Sequence, residues 1–464
     1  MKITNLGPIK EANVDFNKLN IFFGPNNSGK TYLSYAIYGI VKHVCEHNNY
    51  DLSNYLDTQI NEQYISSHII DKSNLYNSLI RQIKKDLTTN FQTILEKTFG
   101  QNTFDKSTLS LNTDDIKNLF MIDTKLAHKQ SKLTRFKGDV YSLSYSPETM
   151  TIKIDKSPFF FWSDHTEGDQ NLNIDLSKKD TAFLLSQYIK NSLLIKVVHN
   201  LYIPAERNGA NVFRDEINKK RSNIISFYSE ESSADNEKKK VENNTPKYPM
   251  PISDYLVFLN TLDSANDFFE YPLESNGYSK NYIQKVLRGK YVLDQKNQLT
   301  FRELLTKKDT SKLRYKREQI PFNITSSSIK SLYGFSDYIN FYSQPNDIVF
   351  IDEPEMNLDP QKQVDLASLL AKMAENNISL FVSTHSDYIF RKLTNISLFQ
   401  HLSLCDNTIS IFSFNNGIVE KLGAVWEHDY ISNFDSPLEE IDTEFNRLYQ
   451  KLPENEISED SFDE

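Results

Sequence analysis

An α/β fold is what this sequence predicts, on three observations. Residues 347–423 alternate between apolar strand-like runs and helical patterns, in the order "DIVFID", "DLASLLAKMAENN", "ISLFVSTH", a helix over 386–395 and "TISIFSF". Such alternation is the mark of parallel strands joined by crossover helices. Near the other end, the run "LNIFF" leads into a glycine turn and then a helix, in which Leu33, Ile37, Ile40, Val41 and Val44 recur at helical spacing. Finally, 464 residues with 39% hydrophobic and 25% charged side chains describe a globular chain of two or three folding units, or one large α/β domain with insertions.

Taken in order, residues 2–25 predict two or three short strands, and a helix starts near Lys30. Residues 50–130, rich in Asn, Lys and Gln, read as a mostly helical insertion. "DVYSLSYS" and "TMTIKID" alternate on either side of Pro147 and Glu148, a hairpin pattern. A long helix follows in "KDTAFLLSQYIKNSLLIKVV", then a strand and turn in "HNLYIPAERNG". Residues 229–251 are polar, charged and punctuated by proline, and read as a mobile linker. Helices at 253–270 and 278–288 precede a hairpin around "YVLDQKNQLTF" and the basic segment "KLRYKRE". The end, "PENEISEDSFDE", is acidic and reads as a disordered tail.

Several classes are disfavoured. The first residues carry no apolar leader, and no window approaches the ~18 apolar residues that a membrane span needs. Two cysteines, Cys45 and Cys405, cannot make a disulfide framework or a four-cysteine zinc site, which fits the cytoplasm. A net charge of −10 neither implies nor excludes nucleic acid, because a local basic groove can sit in an acidic envelope.

Three motifs carry chemistry. "GPNNSGKT" fits the phosphate-loop pattern with Gly24, Gly29, Lys30 and Thr31, and encloses Asn26, Asn27 and Ser28. Backbone N–H groups at a helix start wrap phosphates, Lys30 neutralises them, and the Thr31 hydroxyl suits Mg2+. In "DIVFIDEPE", Asp352 and Glu353 end a buried strand, so one carboxylate can hold the metal and the other can activate water. An acidic pair at a strand end also serves as a plain solvated cap. "VSTHSD" ends the next strand and brings His385 beside that pair if the two strands are neighbours.

The series "GPNNSGKT … IDEPEMNLDP … STHSD" resembles the ATP-binding-cassette ATPases of the SMC, RecF and RecN type. It is most similar to their short, arm-poor relatives classed with OLD-family nuclease ATPases. The resemblance covers about 100 residues at the two ends of the chain. It implies an ABC/SMC-like P-loop ATPase head with a mixed sheet core, inserted helical regions and a helical lobe, using ATP and Mg2+. The implied division is head residues 1–47, a helical insertion and hairpin over 48–200, a lobe over 201–330, head residues 331–451 and the tail 452–464. By the same resemblance, Asp359 of "NLDP" belongs to a loop along a seam between paired heads. Ser326, Ser327 and Ser328, in "ITSSSIKSLYGF", stand where a signature motif meets the partner's nucleotide. They depart from the transporter consensus Leu-Ser-Gly-Gly-Gln, and an ordinary helix cap is the other reading. Arg207, beside Glu206, sits where a lobe-coupling glutamine is expected, so nucleotide contact and a structural ion pair stay open for it.

Two functions follow from the resemblance. One is an ATP-gated switch in a homo-oligomer of paired heads that controls a separate effector, a nuclease or toxin. The ATPase subunits of the anti-phage systems Septu and PARIS are similar in length. The alternative is a RecF-like DNA-maintenance ATPase that binds nucleic acid directly. About 80 residues follow His385, without the Glu and Asp-x-Asp pattern of a TOPRIM nuclease, so any nuclease is expected on a partner.

Overall fold

The computed structural model describes residues 1–157, 174–216, 248–265, 283–305, 315–423 and 440–447, apart from 48–49, 61–63, 102–103, 124, 138, 175, 215, 297, 404–407 and 445. The acidic tail, and all but the last residues of the linker expected at 229–251, lie outside the described residues.

A nine-stranded mixed sheet organises the molecule. Its strands run in the order Asn200–Ile203, Ile348–Asp352, Ser379–Thr384, Leu19–Phe23, Ile409–Asn415, Ile418–Lys421, Ile9–Asn13, Lys2–Leu6 and Thr108–Ser110. The first five are mutually parallel, and the rest continue the sheet with mostly antiparallel pairings. The strands that precede "GPNNSGKT" and contain "FID" thus share one sheet, with the "VSTH" strand between them.

The parallel strands read as unbroken apolar runs because both faces are covered. Phe22, Phe350, Phe381 and Phe412 point to one core, while Ile21, Phe23, Val349, Ile351, Leu380 and Val382 point to the other. The first core holds helix Lys30–Glu46 and the second holds helices Pro360–Glu375, Asp387–Leu402 and Met250–Ala265. Phe350 and Phe381 stack at 4.7 Å, and Tyr202 stacks on Phe350 at 5.8 Å, so an aromatic row crosses three strands.

Helix Lys30–Glu46 is buried along most of its length. The 28-residue helix Lys72–Phe99 crosses it closely: a Cβ on Gly39 would lie 2.1 Å from Thr98 Oγ1. Only glycine allows that approach.

The stretch expected to be mostly helical differs from the expectation. It contains that long helix, but also strands Leu56–Ile60 and Tyr64–Ile69, which join Gln130–Phe136, Asp139–Ser146 and Thr151–Ser157 in a five-stranded antiparallel sheet. The hairpin flanking Pro147 is present within it. A second hairpin, Gly289–Leu293 with Leu299–Glu303, lies in the later interval as expected.

Candidate nucleotide site

The glycine turn connects strand Leu19–Phe23 to helix Lys30–Glu46, whose first residue is Lys30 itself. Gly29 adopts φ 103°, and a Cβ there would meet Ile9 Cγ1 at 2.6 Å, so the turn requires glycine twice over. Asn27 takes φ 59°, a left-handed conformation that asparagine tolerates. The result is a loop curled around the helix start.

Lys30 is buried, and its ammonium donates to the carbonyls of Gly24 (2.9 Å) and Pro25 (2.7 Å), with His385 Nδ1 at 3.4 Å. Burial pulls its pKa down to about 8, against the pull of Glu353, Asp352 and Glu355. Next to it, Thr31 Oγ1 donates to Asp352 Oδ2 at 3.0 Å. Ser383, which faces Asp352 in the strand register, donates to its other oxygen. Burial pushes Asp352 up to about 6, while the two hydroxyls resist.

Glu353 follows the strand in the left-handed region, φ 46°, which is costly for a side chain with a Cβ and is a feature of functional sites. Its carboxylate lies 3.2 Å from His385 Nε2, and that hydrogen bond holds it below the usual carboxylate range. The backbone N–H of His385 donates to Glu355 Oε1 at 2.6 Å, and burial raises Glu355 above its ordinary value.

Pro8, Asn26, Asn27, Ser28, Gly29, Lys30, Thr31, Tyr32, Glu353 and His385 line one cleft of about 650 Å³. The loop residues expected to cradle phosphate therefore share a cavity with the expected base and histidine. Ser28 Oγ is buried without a hydrogen-bond partner, as is Glu355 Oε2. An orphaned hydroxyl beside a buried ammonium at a helix start suits an oxyanion. Thr31 and Asp352 supply hard oxygen donors side by side, which suits Mg2+.

Other expected residues lie elsewhere. Ser326, Ser327, Ser328 and Asp359 do not line the cleft. Ser326 occupies the N-cap position of the short helix Ser327–Ser331 without a side-chain capping bond, its hydroxyl lying 2.9 Å from Ser328 Oγ, and Asp359 accepts from the Lys362 backbone N–H at the start of helix Pro360–Glu375.

Arg207 needs correction as a nucleotide contact. Its guanidinium is buried against main-chain carbonyls: Nη1 donates to Asp352 (2.8 Å) and Pro204 (3.2 Å), Nη2 to Glu353 (2.7 Å) and Nε to Ser331 (3.1 Å). The turn after strand Asn200–Ile203 delivers it beneath the end of the neighbouring Asp352 strand. It fixes the backbone that presents Asp352 and Glu353, and ties it to the serine helix. Burial lowers its pKa, and carbonyl acceptors are what keep such a charge solvated inside protein.

Sequence reasoning missed Ser383, Glu355, Tyr32 and Pro8. Ser383 and Glu355 carry a signal in hindsight, because both sit inside the quoted acidic and histidine motifs. Only the strand register shows that Ser383 faces Asp352.

Comparison with known proteins agrees with the motifs. Three solved structures are similar in part, each with a TM-score of 0.30. An SMC head bound to the C-winged helix domain of ScpA is 10% identical, with 91% of this chain and 96% of that chain covered. An SMC head domain with an extended coiled coil, bound to the C-terminal domain of ScpA derived from Pyrococcus furiosus, is 12% identical over 97% and 98%. The SMC head domain from Thermotoga maritima is 9% identical over 91% and 96%. No curated protein sequence matches. The AAA ATPase domain family matches residues 1–390, which spans the phosphate loop, the acidic pair and the histidine; the chain belongs to that family and is an ATP-binding ATPase.

Proposed function

We propose that this protein is a slow, Mg2+-dependent ATPase whose ATP-bound heads pair, and that pairing acts as a switch for a separate effector, a nuclease or toxin, in bacterial anti-phage defence in the cytoplasm. The observation that carries the chemistry is the convergence of Lys30, Thr31, Glu353 and His385 on one cleft, with Asp352 buried behind Thr31 and bonded to it. Lys30 and the loop N–H groups bind the phosphates, Thr31 and Asp352 hold the metal, and Glu353 orients and deprotonates the attacking water. A Mg2+ ion held there would supply neutralisation of the phosphate charge. His385, within reach of both Lys30 and Glu353, keeps Glu353 ionised and can turn a ring N–H to the γ-phosphate once nucleotide draws Lys30 away from Nδ1. Among the described residues no helix is long and apolar enough to cross a membrane.

Pairing is supported by where the serines lie. Ser326 and Ser327 are exposed and outside their own cleft, so a second chain can reach them. Arg207 connects the serine helix to Glu353 through two carbonyls, so contact at the seam is felt at the base. The effector and the defensive role rest on the resemblance of the motif series and of the chain length. The division into an N-terminal head segment, insertion, lobe and C-terminal head segment is part of the same proposal.

Replacing Ser326 and Ser327 together with tryptophan tests the seam. ATP should still bind each chain, while ATP-dependent pairing by light scattering and hydrolysis are both lost. Unaltered pairing and hydrolysis would show that another loop completes the site.

A pH dependence follows from Lys30. Free protein loses the Lys30 proton above about 8, whereas phosphate binds the charged form, so binding at higher pH must take up a proton. ATP affinity should therefore fall with rising pH beyond that point, by up to about tenfold per unit. Titrations with a fluorescent ATP analogue between neutral and alkaline pH measure the slope. Lys30→Arg, which keeps its charge, should flatten it.

A further inference from the structure

Among the described residues, one group of metal-ligating side chains lies together: His43, His47 and Asp86, whose ligand atoms are all within 4.8 Å of one another. It is at the opposite end of helix Lys30–Glu46 from the phosphate loop, roughly 25 Å away at 1.5 Å per residue. We propose that these three side chains form a second metal site, for a divalent transition ion of the Zn2+ class, which fastens the phosphate-loop helix to the inserted helix Lys72–Phe99.

The geometry suits such an ion. His43 is in the last turn of its helix and His47 is the residue that ends it, so the i, i+4 spacing puts both imidazoles on one side. Their rings stack at 5.3 Å. Asp86 approaches from the inserted helix, 3.0 Å from His43 Nε2. Two imidazoles and one carboxylate with an open position are a familiar zinc donor set; bonds of ~2.0–2.1 Å would place the donors roughly 3.3 Å apart, within reach of small side-chain rotations.

The surroundings look like a supporting shell. Tyr50 OH donates to Asp86 Oδ2 at 2.7 Å, and Asn90 Nδ2 donates to Oδ1 at 2.6 Å. Bonds of this kind aim a ligating carboxylate. A cleft of about 220 Å³ opens beside both histidines, with Glu46 on its wall, and gives an ion a way in. The Lys190 ammonium also sits here, but it is engaged by the carbonyls of Val44, Cys45 and His47 at the helix end.

Tag-free full-length protein, stripped with chelator and titrated with Zn2+, should bind one ion per chain at this site. Co2+ in its place should give the visible absorption of a four-coordinate ion with nitrogen and oxygen ligands. His47→Ala, whose ring serves mainly in stacking, should lose that absorption and weaken Zn2+ at least tenfold, while ATP binding is unchanged. Asn90→Leu, which leaves every ligand in place, should weaken Zn2+ by about 10–100-fold. Bound Zn2+ should raise the melting temperature of the wild type but not of His47→Ala. The proposal is overturned if the wild type takes up no stoichiometric ion, or if a folded His43→Ala/His47→Ala protein keeps the same spectrum and affinity.

Discussion

Glu353→Gln will bind ATP and fail to turn it over. Loss of a general base typically costs ~10²–10⁴-fold in rate, and glutamine preserves the size of the side chain and an oxygen facing His385 Nε2. The left-handed backbone at this residue is held by the main-chain bonds to Arg207 and Ser383, neither of which uses the carboxylate. Lys30, Thr31 and Asp352 are untouched, so affinity for ATP should be little changed. The paired state should then accumulate, because its dissociation waits for hydrolysis. Single-turnover measurements, with light scattering in ATP, read both effects. A kcat within about tenfold of wild type would mean that Glu353 is not the base.

Lys30→Ala should nearly abolish nucleotide binding. The ammonium is buried at the floor of the cleft, and phosphate is a stronger acceptor than the two loop carbonyls it meets here. Truncating a buried, hydrogen-bonded charge partner costs ~2–5 kcal/mol, which corresponds to a loss of affinity of roughly 30- to 4,000-fold. The carbonyls of Gly24 and Pro25 lose their donor as well, so the loop loosens. Calorimetric titration with ATP gives the affinity, and circular dichroism shows whether the helix following the loop survives. Wild-type affinity in a folded Lys30→Ala protein would remove the site assignment.

The parts of this molecule governed by short-range rules were legible in the sequence. The phosphate-loop pattern predicts a strand, a turn and a helix beginning at Lys30, and they are there because glycine conformation and helical periodicity act over a few residues. The alternation after residue 347 likewise announces parallel strands. Strands Leu56–Ile60 and Tyr64–Ile69 were hidden because apolar and polar residues are mixed on both faces, with Ile60 and Tyr64 exposed and Ser67 buried, so neither period stands out. The placement of Arg207 was hidden for a different reason. Its partners are carbonyls, which every residue owns, and nothing in a sequence says which carbonyl will be near. The Ser383 bond to Asp352 depends on register between strands, which spacing leaves open.

The strand Leu19–Phe23 has Ser379–Thr384 on one edge and Ile409–Asn415 on the other. On a ribosome, it emerges long before either neighbour exists. At about 5–20 residues per second, that delay is on the order of 20–70 s. Throughout it, an apolar segment with both hydrogen-bonding edges open is held in an unfinished chain, the kind of segment that aggregates. The two ends of this protein are therefore bound together by more than a shared ATP site. Nascent chains stalled before residue 379 should be protease-sensitive around "LNIFF" and should recruit chaperones. Release of chaperone should coincide with synthesis of the last strands, because only then does the first one acquire neighbours.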